Sequence, residues 1–137
     1  MKGKCLCERI EFCFEPRDDF VLNCFCSICR RSHGASCATQ VMSKKSSLVF
    51  ISGEEYLKEY SSSDMGLRVF CSECGSRLMN YAARGSQYMS VALSCISSKH
   101  KLFPSVNIQV GSKSDWAHID ESLESFDALP PNIGKYF

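Results

Sequence analysis

The chain has no apolar run near the roughly 20 residues that a bilayer-spanning helix needs. Its opening, "MKGKCLCERIEF", has no hydrophobic centre of a secretion signal. Membrane attachment and export are therefore not expected, and a reducing cytoplasm is the expected compartment. A long basic run is missing too: 16 Lys and Arg stand scattered against 15 Asp and Glu, for a formal net charge of +1. That disfavours nucleic-acid binding through a broad electrostatic footprint. There is no glycine-rich phosphate loop, no Ser-His-Asp order, no internal repeat and no linker. The 137 residues are expected to form one domain, 1–137, long enough to bury a core that does not rest on metal alone.

Cysteine, by contrast, is abundant, with ten in the chain. In a reducing compartment metal binding is the better default than disulfides, and the spacing agrees. Cys5 and Cys7, Cys24, Cys26 and Cys29, and Cys71 and Cys74 form tight groups, while Cys13, Cys37 and Cys95 are isolated. Members of a tight group pair poorly with each other but readily share an ion.

Periodicity points to short strands. Ile10, Phe12 and Phe14 alternate with Arg9, Glu11 and Cys13, so Glu8 to Glu15 reads as a half-buried strand. "FVLN" leads as a strand into the triple-cysteine turn. "CRRSHG" reads as a loop or single helical turn ending at Gly34, and "ASCATQVM" resumes a strand. "SLVFIS" is a strand turned by Gly53, "EEYLKEYSSS" fits helix or strand, and "SSSDMG" reads as a loop. "LRVFCSECGSRLMNYA" is a hairpin with Cys71 and Cys74 at its turn, where Gly75 tolerates positive φ and lets N–H groups face the sulfurs. "QYMSVAL" and "VNIQV" are further strands, and the tail from Ser122 wraps the surface. Phe12, Phe14, Phe50, Phe70 and Trp116 are expected in the core, Tyr56, Tyr60 and Tyr81 in core or rim, and His100 and His118 at the surface. The sum is a mostly β domain of short antiparallel strands.

Two cysteine pairs far apart in sequence make a closed structural zinc site. Pairing Cys5 and Cys7 with Cys71 and Cys74 uses every tight group whole; joining Cys5 and Cys7 to Cys24 and Cys26 is the alternative. Cys24, Cys26 and Cys29 then supply three ligands to a second ion. The fourth corner is left to His33, Cys37, Cys95, water or a thiol substrate. A closed corner makes a second structural site and an open one a reactive site. An exposed trio is expected to hold its ion less firmly than four fixed thiolates.

The segments "GKCLCERIEF", "NCFCSICRRSHG", "FISGEEYLKEYSSS", "RVFCSECGSRL" and "NIQVGSKSDWAHID" resemble, in this order, the glutathione-dependent formaldehyde-activating enzyme family, whose domain centromere protein V shares. The resemblance covers nearly the whole chain. It implies a small, mostly β, zinc-stapled fold, the β-tent. It implies a structural zinc on Cys5, Cys7, Cys71 and Cys74, and a second zinc on Cys24, Cys26 and Cys29 with a position for substrate. The implied activity is that of a carbon–sulfur lyase resembling S-(hydroxymethyl)glutathione synthase, with glutathione as the small-molecule thiol partner. Two positions depart from the pattern: Asn107 stands where members often have histidine, and Ser122 to Phe126 where they often have a Leu-Pro pair.

Zinc in such a site would bind and deprotonate the thiol, whose thiolate would attack the formaldehyde carbon. Three cysteine thiolates make zinc a poor Lewis acid, so its expected task is thiol activation. Arg30 or Arg31, beside the site in sequence, would offset the charge or pair with a substrate carboxylate. The competing readings are a non-catalytic zinc-stapled interaction module and a redox or metal-handling cysteine trio. Nothing in the sequence sets an oligomeric state.

Overall fold

A run of five buried apolar side chains, Val69, Met79, Val91, Val41 and Val21, crosses five neighbouring strands in register. They share one face because side chains alternate across a strand. The computed structural model describes residues 1–64, 66–82 and 87–131. The strands are β1 (Lys2–Lys4), β2 (Glu11–Cys13), β3 (Pro16–Cys24), β4 (Ala38–Lys44), β5 (Val49–Ser52), β6 (Leu57–Ser63), β7 (Gly66–Cys71), β8 (Arg77–Ala82), β9 (Tyr88–Ala92), β10 (Val106–Ile108) and β11 (Glu124–Ser125). One α-helix, α1 (Ser27–His33), joins β3 to β4.

The eight-stranded sheet runs β11-β10-β3-β4-β9-β8-β7-β6, and the smaller sheet β1-β2-β5. The protein is mostly β, as its sequence predicts. Not every strand is antiparallel: β10 lies parallel to both β3 and β11. The long connection from β9 allows this, since parallel pairing needs a crossover.

The large sheet separates two apolar clusters. Ile10, Phe12, Phe14, Val21, Val41, Val69, Leu78 and Val91 fill the first, against the small sheet. Leu22, Met42, Val106 and Ile108 form the second, with Phe20 and Phe126 packed on it. Each cluster takes in cysteines of one four- or three-sulfur set, Cys5 and Cys71 in the first and Cys24 and Cys29 in the second.

Several local expectations change. The first strand contracts to Glu11–Cys13 because a turn occupies the preceding backbone: Cys5 N donates to Ile10 O, Glu8 N donates to Cys5 O, and Glu8 has φ 60°. "EEYLKEYSSS" resolves into a 3-10 turn, Glu54–Tyr56, followed by β6, which also claims the first half of the segment read as a loop, Ser61 to Ser63. Met65 of that segment and the last six residues of the tail, 132–137, lie outside the described residues. Gly53 has φ 75°, and a Cβ there would stand 2.1 Å from Arg9 O. Trp116 is 67% exposed rather than core; its neighbour Ala117 is the buried residue of that turn and donates its N–H to Ser114 O. Phe50 and Phe70 are half-buried. Among the described residues no helix is long and apolar enough to cross a membrane.

Candidate metal centre

Two knuckles bring four cysteines together. One is the Cys5–Ile10 turn, where Ile10 N donates to Cys5 Sγ at 3.4 Å. The other joins β7 to β8, where Gly75 adopts φ 72° and its N–H closes on Cys71 O. All four sulfurs, of Cys5, Cys7, Cys71 and Cys74, lie within 4.8 Å of one another. Cys5 and Cys7 Sγ are 3.5 Å apart, and Cys7 and Cys71 Sγ 3.9 Å. A tetrahedron with zinc–sulfur bonds of about 2.3 Å has edges of about 3.8 Å. The group therefore has the size and donor chemistry for such an ion, and every cysteine is a free thiol. Burial works to push the Cys74 thiol up, but hydrogen bonds from Ser76 and backbone N–H groups hold it down, at about 5.

The second group combines the end of β3 with the start of α1. Cys24 ends the strand, Cys26 is the helix N-cap, and Cys29 lies one turn in. Cys26 Sγ accepts from Cys29 N at 3.3 Å, and Gly34 closes the helix in the left-handed region. These three sulfurs also lie within 4.8 Å of one another. Hydrogen bonds from Cys24 and Cys29, with help from the N–H groups of Cys29 and Ile28, push Cys26 down to about 2. Hydrogen bonds from Cys24 to Cys26 and Cys29, with burial, push Cys24 up. The trio thus favours negative charge on Cys26 over Cys24. It is also less exposed than expected: Cys24 and Cys29 are buried, whereas Cys7 of the other group is exposed.

Among the described residues, no further His, Cys, Asp or Glu joins the trio. His33 ends α1 with Nε2 buried and without a hydrogen-bond partner in the described residues. Burial, then the charges of Arg77 and Arg68, push it down to about 4. Cys95 is packed in the first core, bonded to Ala92 O and Leu78 O. A cavity of about 300 Å³ opens onto Cys24, Cys26 and Cys29 instead. Leu22, Met42, Met89, Ile108 and Leu129 give it apolar walls, and Gln40, Asn80 and Ser90 a polar strip.

Arg30 is not part of this cavity. Its Nε donates to Phe25 O at 3.0 Å, its Nη2 to Ser112 O at 3.0 Å, and its Nη1 to Ser114 Oγ, which fastens α1 to the 112–114 turn. Arg31 is exposed and reaches back to Ser27. The cation at the trio is Arg68, whose Nη1 stands 3.9 Å from Cys29 Sγ and whose Nε donates to Ser62 Oγ at 2.9 Å. Gln40 Nε2 is likewise 3.9 Å from Cys29 Sγ. Sequence reading missed both. The only sequence signal is a period-two one: Gln40 falls in step with Ala38 and Met42 along its strand, and Arg68 with Gly66 and Phe70. Asn107, one of the two departures, is fully buried outside the cavity lining, holding Asn23, Asp120 O and Ser125 together; at the other, Phe126 packs on the second core.

A family model described as "Glutathione-dependent formaldehyde-activating enzyme" matches residues 1–112. A Halomonas elongata protein named "Putative glutathione-dependent formaldehyde-activating enzyme" is 28% identical over 127 residues, covering 88% of this chain and 81% of that protein. A crystal structure of a Rhodobacter sphaeroides protein superposes with a TM-score of 0.62 at 28% identity, covering 73% of this chain and 91% of the other.

Proposed function

Because the chain belongs to the glutathione-dependent formaldehyde-activating enzyme family, whose model spans most of its length, we propose that it is a carbon–sulfur lyase that forms or cleaves S-hydroxymethylglutathione. One observation carries this reading above the rest: three clustered sulfurs form part of the wall of a cavity. In this reading Cys5, Cys7, Cys71 and Cys74 hold a structural zinc, and Cys24, Cys26 and Cys29 hold the zinc at which substrate arrives. When bound there, zinc would keep a thiol substrate in its nucleophilic thiolate form near neutral pH.

The rest of the chemistry falls to the protein. Addition forms one carbon–sulfur bond. The thiolate pair goes to the formaldehyde carbon, the carbonyl pair goes to oxygen, and that oxygen takes up the proton the thiol gave up. Cleavage runs the same steps backward. The cavity holds the two reactants side by side, which removes part of the entropic barrier. Three cysteine thiolates and a substrate thiolate around a divalent ion leave two net negative charges. Arg68 beside Cys29, with Arg77 behind it, offsets them. The N–H groups of Ile28 and Cys29 hold charge on Cys26. The interaction-module reading would have His33 or Cys37 in the fourth corner, and neither belongs to the sulfur group.

Exchange NMR on glutathione and formaldehyde tests the proposal, with buffer as the reference because the thiol adds to the aldehyde unaided. Zinc-loaded protein is expected to raise the exchange rate, and Cys26→Ser to abolish the increase while remaining folded. No increase over buffer contradicts the activity.

A further inference from the structure

The cavity floor contains a chain of side-chain hydrogen bonds whose direction is dictated from one end. Arg77 Nη2 donates to Asn80 Oδ1 at 2.7 Å. A guanidinium has no acceptor, so the Asn80 oxygen must face it and the Asn80 amide nitrogen must face away. That nitrogen donates to Gln40 Oε1 at 2.6 Å and to Ser90 Oγ at 3.0 Å. Ser90 Oγ donates to the same Gln40 oxygen. With Oε1 accepting twice, Gln40 can only turn its N–H₂ the other way, and Nε2 stands 3.9 Å from Cys29 Sγ. Gln40 and Asn80 are 4% and 8% exposed, so little of either group is open to competing water.

Strand register assembles the chain. Asn80 pairs with Ser90, Ser90 with Met42, and Arg68 with Asn80, which places these side chains on the cavity face of the sheet. A register shift between β7 and β8 lets Leu78 and Met79 both enter the core, and Arg77 bonds to Asn80 across it. Arg77 lies three residues beyond Cys74. The relay therefore starts on the hairpin of the four-cysteine group and ends at the three-cysteine group.

We propose that Gln40 is a positioning residue for the three-cysteine centre, oriented by Asn80 and, through it, by Arg77. Its N–H directs a hydrogen bond to the Cys29 sulfur, fixes that sulfur's direction toward a metal ion and offsets the negative charge that gathers on it. Outer contacts of this kind typically change metal affinity ten- to hundredfold. The inference rests on the reading that the trio holds an ion, but not on the lyase activity.

Asn80→Asp is the sharpest test. The aspartate still accepts from Arg77 but has no N–H for Gln40. The Gln40 amide is then expected to turn, presenting its oxygen to Cys29. Gln40→Met removes the polarity without adding charge. Co²⁺ serves as probe, followed by its sulfur-to-cobalt charge-transfer bands and by competition with a chromophoric chelator. Both variants are expected to weaken the second Co²⁺ ten- to hundredfold and shift its band. The first Co²⁺, on the four-cysteine group, should keep its affinity and so report an intact fold in the same sample. Combined, the two substitutions should cost no more than the larger alone. Unchanged second-site affinity and band in Asn80→Asp, or additive losses, overturn the relay. Weakened Co²⁺ in the variants of a wild type that catalyses nothing supports the relay and contradicts the enzyme. Unchanged Co²⁺ in the variants of an active wild type does the reverse.

Discussion

Arg68 Nη1 stands 3.9 Å from Cys29 Sγ although 39 residues separate the two in sequence. β7 brings the arginine across the sheet, while α1 turns the sequence-adjacent Arg30 onto the 112–114 turn. The two arginines therefore answer different experiments.

Arg68→Met removes the cation that faces the sulfur trio. It should lower kcat/KM for the thiol adduct about ten- to hundredfold, which is roughly 1.4–2.7 kcal/mol of transition-state stabilisation. Stability should change little. Steady-state kinetics beside urea unfolding separates the two effects.

Arg30→Met should do the opposite. Its three donors tie α1 to Phe25, Ser112 and Ser114. Losing hydrogen bonds from a charged donor costs about 1.5–3 kcal/mol, visible in the urea midpoint, while kcat/KM stays within about twofold of the wild type.

The sequence shows the cysteine groups because their members are neighbours along the chain, and it shows the β7–β8 hairpin because both arms alternate around one turn. It does not show Arg68, Gln40 or Asn80, which reach the trio only through pairing across β7, β8, β9 and β4. Adjacency to Cys29 singles out Arg30, yet a helix rotates each residue by about 100° from the last, so nearness in sequence says little about direction. The parallel placement of β10 was hidden because strand direction depends on the connection that precedes it. Trp116 sits in a turn with no periodic neighbours, so its size suggested burial that its position does not provide.

His33 should make stability depend on acid. Its ordinary value is 6.5, and burial with the nearby Arg77 and Arg68 charges lowers it to about 4. The unfolded chain therefore binds the proton first. The contribution of neutral His33 is complete above about pH 6.5 and is lost as pH falls from there toward 4. Urea unfolding across this window should show a slope that His33→Asn flattens.

Gly53→Ala should destabilise through backbone strain and collision together. At φ 75° the new Cβ would meet Arg9 O at 2.1 Å. A loss of about 1–3 kcal/mol is expected, measurable by denaturant unfolding, with metal content unchanged.

Stripping metal with a strong chelator should reduce the unfolding free energy by several kcal/mol, because an ion held as proposed by the four-cysteine group would add its binding directly to folding. Cys74→Ser should reproduce most of that loss. A chelator-treated protein that unfolds at the same urea concentration as the untreated one contradicts the structural role.

Zinc-edge anomalous diffraction from a crystal soaked in glutathione tests the central claim most directly. Two peaks are predicted. The first should be enclosed by Cys5, Cys7, Cys71 and Cys74, and the second ligated by Cys24, Cys26, Cys29 and the sulfur of the added thiol. A second peak whose fourth ligand is a protein side chain, or no peak at the trio, would contradict the account.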